Sequence, residues 1–212
     1  MDEQEHYFTA RPSSDAERRT IEVELAGRAL SVQTAGGVFS PDHVDLGTRV
    51  LLRTVPPPPP SGDLLDLGCG WGPIALALAL QAPEAHVWAV DVNERALDLV
   101  RRNAAASGLT NVTAVTPDDV PPDVRFAAVW SNPPVRVGKQ ELHAMLRRWL
   151  TRLDPAGEAW LVVGRHLGAD PLQRWLQEEL APPLRTERAA SAKGFRVLHT
   201  WADERSAEGP DR

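Results

Sequence analysis

A single cysteine, Cys69, stands in 212 residues, so an internal disulfide and a thiolate metal cluster are both excluded, and no metal is expected. No apolar segment approaches the roughly 20 residues of a membrane span. The opening MDEQEHYFTARPSS lacks the basic and apolar regions of a signal peptide, so a cytoplasmic protein with no membrane partner is expected. Internal repeats are also missing. There is no excess of positive charge: the formal net charge of -6 argues against a protein that coats nucleic acid through long-range attraction, though not against one with a local basic surface. Of the short basic groups, Arg101 with Arg102, and Arg147 with Arg148 and Arg152, read as solvated helix faces. Arg136 and Lys139 differ, because they flank a proline turn and would face whatever enters it. With 42% hydrophobic and 25% charged residues, the chain has the composition of one ordinary domain with one full core.

Along the chain, periodicity separates the elements. The first 18 or so residues and the tail 204–212 read as loose. In TIEVELAGRALSVQT, Ile21, Val23 and Leu25 alternate with glutamates, Gly27 and Arg28 turn, and Leu30 and Val32 resume the alternation, which predicts a hairpin with one wet face. A glycine loop, GGVFSPDHVDLGTRVLL at 36–52, leads into a short helix over 44–52. Five prolines at 56–60 form a stiff extended spacer. The division is therefore an N-terminal annex at 1–55, the spacer at 56–60, a core at 61–203 and the tail. In the core, strands at 63–67, 86–91, 111–116, 126–131 and 158–163 alternate with helices at 73–81, 94–107, 139–152 and 171–180. LRTERAAS and FRVLHTWA follow, joined only by SAKG. This pattern predicts an α/β fold: a doubly wound, mostly parallel seven-stranded sheet with an antiparallel C-terminal hairpin and a small N-terminal β-hairpin annex.

Two motifs carry chemistry. In LLDLGCGWG an apolar strand runs into Gly68, Gly70 and Gly72 and then into the helix PIALALAL, the arrangement of a nucleotide cofactor cradle in which bare backbone N–H groups can approach a ligand. The dinucleotide fingerprint would require glycine at 73, where this chain has Pro73, so a pyrophosphate is disfavoured. Asp66, two residues before the first glycine, would repel a phosphate and attract a cation. S-adenosylmethionine, with its sulfonium and ammonium groups, fits that charge. The second strand ends in Asp91, where an acid can take both ribose hydroxyls, and Asp118 after the third strand could accept the adenine amino group, with Asp119 the weaker candidate.

The second motif is VWSNPP. Asn132 followed by Pro133 and Pro134 presents a side-chain oxygen and a rigid carbonyl, two fixed acceptors for a planar amino group. An amine held by both is drawn toward tetrahedral geometry, which frees its lone pair for in-line displacement without a strong base.

The chain resembles the class I S-adenosylmethionine-dependent methyltransferases, and more narrowly the small-domain methyltransferases related to the small-subunit ribosomal RNA guanine-N2 enzymes. The resemblance covers about residues 6–200 and rests on HYF at 6–8, GVFSPDHVDLGT at 37–48, DLGCGWGPI at 66–74, VDVNERAL at 90–97, SNPPVRVGK at 131–139 and KGFRVL at 193–198. It implies a Rossmann-like methyltransferase fold. It also implies S-adenosylmethionine contacts at Asp66, Gly68, Cys69, Gly70, Gly72, Asp91, Val92, Asp118 and Asn132, with Asn132, Pro133 and Pro134 as the catalytic turn. Substrate contacts are expected at Phe39, Arg136 and Lys139, and the expected partner is RNA, ribosomal RNA or the small ribosomal subunit. Two departures stand out: Val135 occupies the place where many such enzymes carry a stacking aromatic, and the second domain by which the larger ribosomal enzymes bind RNA is not expected here. The amine acceptor could instead be a protein glutamine amide, and a non-catalytic S-adenosylmethionine-binding protein is the reading from a different class.

Overall fold

The computed structural model describes residues 18–180 and 184–202. The HYF motif and the tail 204–212 lie outside the described residues. A two-stranded antiparallel hairpin, β1 (Arg18–Leu25) and β2 (Arg28–Ala35), precedes the short helix α1 (Leu46–Thr54). The core then alternates β3 (Asp63–Leu67), α2 (Pro73–Gln81), β4 (His86–Val90), α3 (Glu94–Ala106), β5 (Val112–Val115), β6 (Phe126–Ser131), α4 (Lys139–Leu150), β7 (Leu153–Gly164) and α5 (Ala169–Glu179). It closes with β8 (Leu184–Ala192) and β9 (Phe195–Ala202).

The seven core strands lie in the order β5-β4-β3-β6-β7-β9-β8, parallel except for the β9 and β8 pairings. Strand order reverses between β3 and β6, which places the switch point between the two motifs. Neighbouring residues of a strand face opposite sides, so each apolar pair feeds two cores. Leu64 packs with Leu51 of α1, Ile74 of α2 and Leu97 of α3. Leu65 packs with Leu146 and Trp149 of α4 and Leu176 of α5.

Strand β7 begins at Leu153, five residues ahead of the expected 158. Leu153 pairs with Phe126, and the register then shifts before Glu158 pairs with Ala128, so residues 154–157 form an irregularity that the alternation rule does not read. The annex is packed directly on the core: Leu25, Leu30, Val32 and Ala35 share a buried cluster with Leu76 of α2 and Leu99 of α3. Asn103 of α3 fastens it, donating to the carbonyls of Gln33 and Trp71 at 3.0 Å each and accepting from the Gln33 N–H at 2.7 Å.

Candidate functional site

The glycine turn after β3 needs its glycines. Gly68, Gly70 and Gly72 all lie in the left-handed region, with φ of 76°, 55° and 95°. The turn is held from behind by backbone bonds, Gly68 and Cys69 both donating to the Val90 carbonyl at 2.8 and 3.1 Å. Asp91 finishes the clasp: one carboxylate oxygen accepts from the Gly70 N–H at 3.0 Å and the other from the Asn93 N–H at 2.9 Å. Burial raises the Asp91 carboxyl pKa, while the N–H donors of Asn93, Gly70 and Val92 oppose the rise.

Asp66 is fully buried beneath the turn and does not line the pocket. One of its oxygens accepts from the Ala75 N–H at 2.9 Å, and the other has no partner among the described residues. Helix α2 starts at Gly72, which has no capping side chain, so Asp66 serves from the preceding strand as the acceptor for one of the helix's orphan donors. Burial pushes its carboxyl from 3.8 to about 8, against the Ala75 bond and helped by the neighbouring Asp91. At neutral pH Asp66 is thus mainly protonated, and the direct attraction for a cation expected from the sequence is muted. Burial also raises the Cys69 thiol well above its usual range, which leaves Cys69 a small inert filler.

Across the switch point the acceptor turn is tied to the glycine turn. Ser131 Oγ donates to the Leu67 carbonyl at 2.6 Å, and a Cβ on Gly68 would lie 3.5 Å from Pro134 Cδ. The two motifs are therefore in contact. Pro134, with φ -74° and ψ 74°, forms an inverse γ-turn in which the Val135 N–H donates to the Pro133 carbonyl at 2.8 Å. That oxygen keeps its second lone pair.

Asn132 is fixed by two residues the sequence reading did not single out. Its Nδ2 donates to Asp45 Oδ2 at 2.9 Å and to Thr48 Oγ1 at 3.1 Å. A carboxylate only accepts, so the nitrogen must face Asp45 and Oδ1 is the end left to act as an acceptor. Asp45 is at once the N-cap of α1, accepting from Gly47 and Thr48 N–H, and the anchor of Asn132. The available signal was the DLGT segment, which reads as a cap before a helix. Its partner lies 87 residues away, beyond what local spacing can reach.

Phe39, Ser40, Asp45, Thr48, Gly68, Cys69, Gly70, Trp71, Pro73, Ile74 and Asn132 line one pocket with about 320 Å³ of space that opens to solvent. Trp71 is buried and its indole N–H donates to the Ser40 carbonyl at 3.1 Å, which pins the 36–45 loop over the glycine turn. The structure does not bring every expected residue to this pocket. Gly72, Asp91, Val92, Arg136 and Lys139 stand outside its lining, and Asp118 is an exposed carboxylate accepting from Arg148 at 2.9 Å. Among the described residues there is no group of three or more His, Cys, Asp or Glu side chains able to hold a metal. No helix in them is long and apolar enough to cross a membrane.

The family profile of the methyltransferase small domain matches residues 29–199. The chain is 36% identical to the uncharacterized protein YbxB of Bacillus subtilis (strain 168) over 177 residues, which is 82% of this chain and 88% of YbxB. It is 35% identical to ribosomal RNA small subunit methyltransferase C of Stutzerimonas stutzeri (strain A1501), covering 89% of this chain and 56% of that protein. Among solved structures, the 16S rRNA guanine-N2 methyltransferase RsmC of T. thermophilus, in complex with AdoMet and guanosine, superimposes with a TM-score of 0.76 at 25% identity, over 90% of this chain and 52% of RsmC. The chain thus spans about half the length of the ribosomal RNA methyltransferases it matches.

Proposed function

The chain belongs to the methyltransferase small-domain family, and from that premise we propose that it is an S-adenosylmethionine-dependent N-methyltransferase whose acceptor is an exocyclic amine of RNA, guanine N2 of ribosomal RNA, in the cytoplasm. The observation that carries the proposal is the pairing of a left-handed glycine turn with an Asn132 side chain whose nitrogen is already committed.

The residues present fit the cofactor. A turn of three positive-φ glycines, with Gly68 and Gly70 in the pocket lining, brings backbone without side chains up to the pocket, and the Asp91 carboxylate stands behind the turn. Gly68, Cys69, Gly70 and Asn132 would border S-adenosylmethionine, with Asp91 for the ribose and Phe39 closing the loop side. When bound, the cofactor supplies an electrophilic methyl group on a sulfonium. The contributions of the chain are positional and electrostatic. Asn132 Oδ1 and the Pro133 carbonyl accept the two N–H bonds of the acceptor amine and turn its lone pair toward the glycine turn. Asp45 and Thr48 keep Oδ1 aimed at the amine, and Trp71 with the 36–45 loop excludes water from one side. Neither amide oxygen is basic enough to retain the proton that the amine releases, so the proton passes to solvent. Val92 and Asp118 remain assigned to the adenosine end, which requires the exposed loops after β4 and β5 to serve it.

Incubation with tritiated S-adenosylmethionine and naked ribosomal RNA, isolated small subunits or a protein fraction tests the reading. Label in RNA, on guanine N2 after digestion, is expected; label in protein alone overturns the acceptor class, and no label in any fraction overturns the activity.

A further inference from the structure

The rim at the carboxyl ends of the strands is divided by charge. The chain has only two lysines, Lys139 and Lys193, and both lie on one side of it. Lys139 follows the acceptor turn after β6, and Lys193 sits in the tight turn joining β8 to β9. Arg136 lies in the 3-10 turn Val135–Val137, and Arg165 opens the 3-10 turn Arg165–Leu167 after β7. Because β6, β7 and β9 are consecutive neighbours, these three connections stand side by side, at about 4.8 Å per strand. The Arg165 N–H donates to the Gly194 carbonyl at 2.8 Å, which locks two of them together.

This ledge adjoins the pocket. Ser131 at the end of β6 pairs with Leu161, while β7 runs on to Gly164, three residues and about 10 Å further. Phe195, next to the β8–β9 turn, packs so closely on α1 that a Cβ at Gly47 would lie 2.9 Å from its ring. Gly47 in turn donates to Asp45, which holds Asn132. The raised edge of β7 and β9 is therefore a wall beside the acceptor turn.

The four cations on the wall have no ion pair or side-chain hydrogen bond among the described residues, whereas nearby arginines are satisfied. Arg147 pairs with Glu179 at 3.2 Å, Arg148 with Asp118 at 2.9 Å, and Arg188 and Arg196 share Asp170 at 2.7 and 3.5 Å. In a chain with net charge -6, four uncompensated positive groups on adjacent loops repel one another and attract an external polyanion. A second observation points the same way. Leu167, within the Arg165–Leu167 turn, is one of the exposed large hydrophobic residues among the described ones, at 42%. An exposed apolar side chain beside unpaired cations suits a strand with charged phosphates and apolar base faces.

We propose that Arg136, Lys139, Arg165 and Lys193, with Leu167 among them, form the track for the single-stranded RNA flanking the target nucleotide. The proposal rests on the RNA-methyltransferase reading.

The test is equilibrium binding of a small-subunit ribosomal RNA fragment to the full chain as a function of salt, with wild type, the double variant Arg165→Ala/Lys193→Ala and the control Arg28→Ala/Arg53→Ala. Each lost phosphate contact lowers the log–log salt slope by about 0.7, so the double variant is expected to lose about 1.4 in slope and about tenfold in affinity at low salt. The control is expected to match wild type. S-adenosylmethionine affinity and the thermal midpoint of the double variant verify its fold. A double variant with wild-type RNA affinity and slope overturns the track, as does one that loses binding to polyglutamate but not to RNA. Tritium transfer read in parallel separates the two levels: label in RNA with unaltered binding by the variant removes the track alone, whereas no label in RNA from wild type removes the parent reading.

Discussion

The two halves of the strand rim are built on opposite principles. On the β3-β4 side, recognition is internal and finished before any ligand arrives: acids are buried, and backbone N–H groups of the glycine turn and the α2 start are already bonded to Asp91, Asp66 and Val90. On the β6-β7-β9 side, Arg136, Lys139, Arg165 and Lys193 have no ion pair or side-chain hydrogen bond among the described residues, while the acceptor turn beside them is held by side-chain hydrogen bonds. A small invariant ligand rewards a preformed cage, since every ordered group reduces the entropy lost on binding. A long flexible polyanion is better met by exposed charge, which adapts to it.

Four experiments sharpen or break this contrast, in order of expected effect. Asn132→Ala removes the proposed acceptor of the reacting amine and is expected to lower kcat by about 100- to 1000-fold. S-adenosylmethionine affinity by calorimetry should stay within a few-fold, and a large parallel loss of affinity would move Asn132 to the cofactor side. Asp91→Ala removes the clasp of the glycine turn together with the proposed ribose acceptor. Its cost of about 1.5–3 kcal/mol corresponds to roughly 10- to 150-fold weaker cofactor binding, with kcat at saturation much less affected; unchanged calorimetric affinity would contradict the preformed cage.

Thr48→Val withdraws one of the two acceptors on Asn132 Nδ2 and leaves the N-cap intact. It should cost about 0.5–1.5 kcal/mol, a few-fold in kcat with little change in KM for S-adenosylmethionine, because Thr48 acts through Asn132. A change confined to KM would show a binding role instead. The fourth has the smallest expected effect on kcat and is read as stability instead. Asp66 binds its proton more tightly in the folded state, at about 8 against 3.8, so its contribution is fully present below about pH 4 and is lost as pH rises through 8. Asp66→Asn stays neutral and keeps an acceptor for the Ala75 N–H. The Tm of this variant minus that of wild type should therefore grow from pH 5 to pH 8, by about 2–4 °C per kcal/mol recovered. A pH-independent gap in thermal scans would refute the buried proton.

The legibility of the chain follows the reach of each signal. The β3 strand, glycine turn and α2 helix are written in consecutive residues, so they were readable. The switch point followed from topology rules applied to those elements. Contacts spanning the chain were not readable: Asp45 and Thr48 look like a cap and a helix residue until Asn132, 87 and 84 positions on, comes to rest against them. The depth of Asp66 escaped for a similar reason. An acid before a glycine turn has the same sequence whether it points into the pocket or under the helix, and only the packing of α2 decides between them.

The Asn103 side chain, bonded to Gln33 in the annex and to the Trp71 carbonyl in the glycine turn, also determines how the molecule comes apart. Asn103 is 1% exposed, so peeling β1 and β2 away would strand buried donors and acceptors on both sides of the break. The hairpin and the α/β sheet consequently melt as one cooperative unit, and calorimetry should record one endotherm with equal van't Hoff and calorimetric enthalpies.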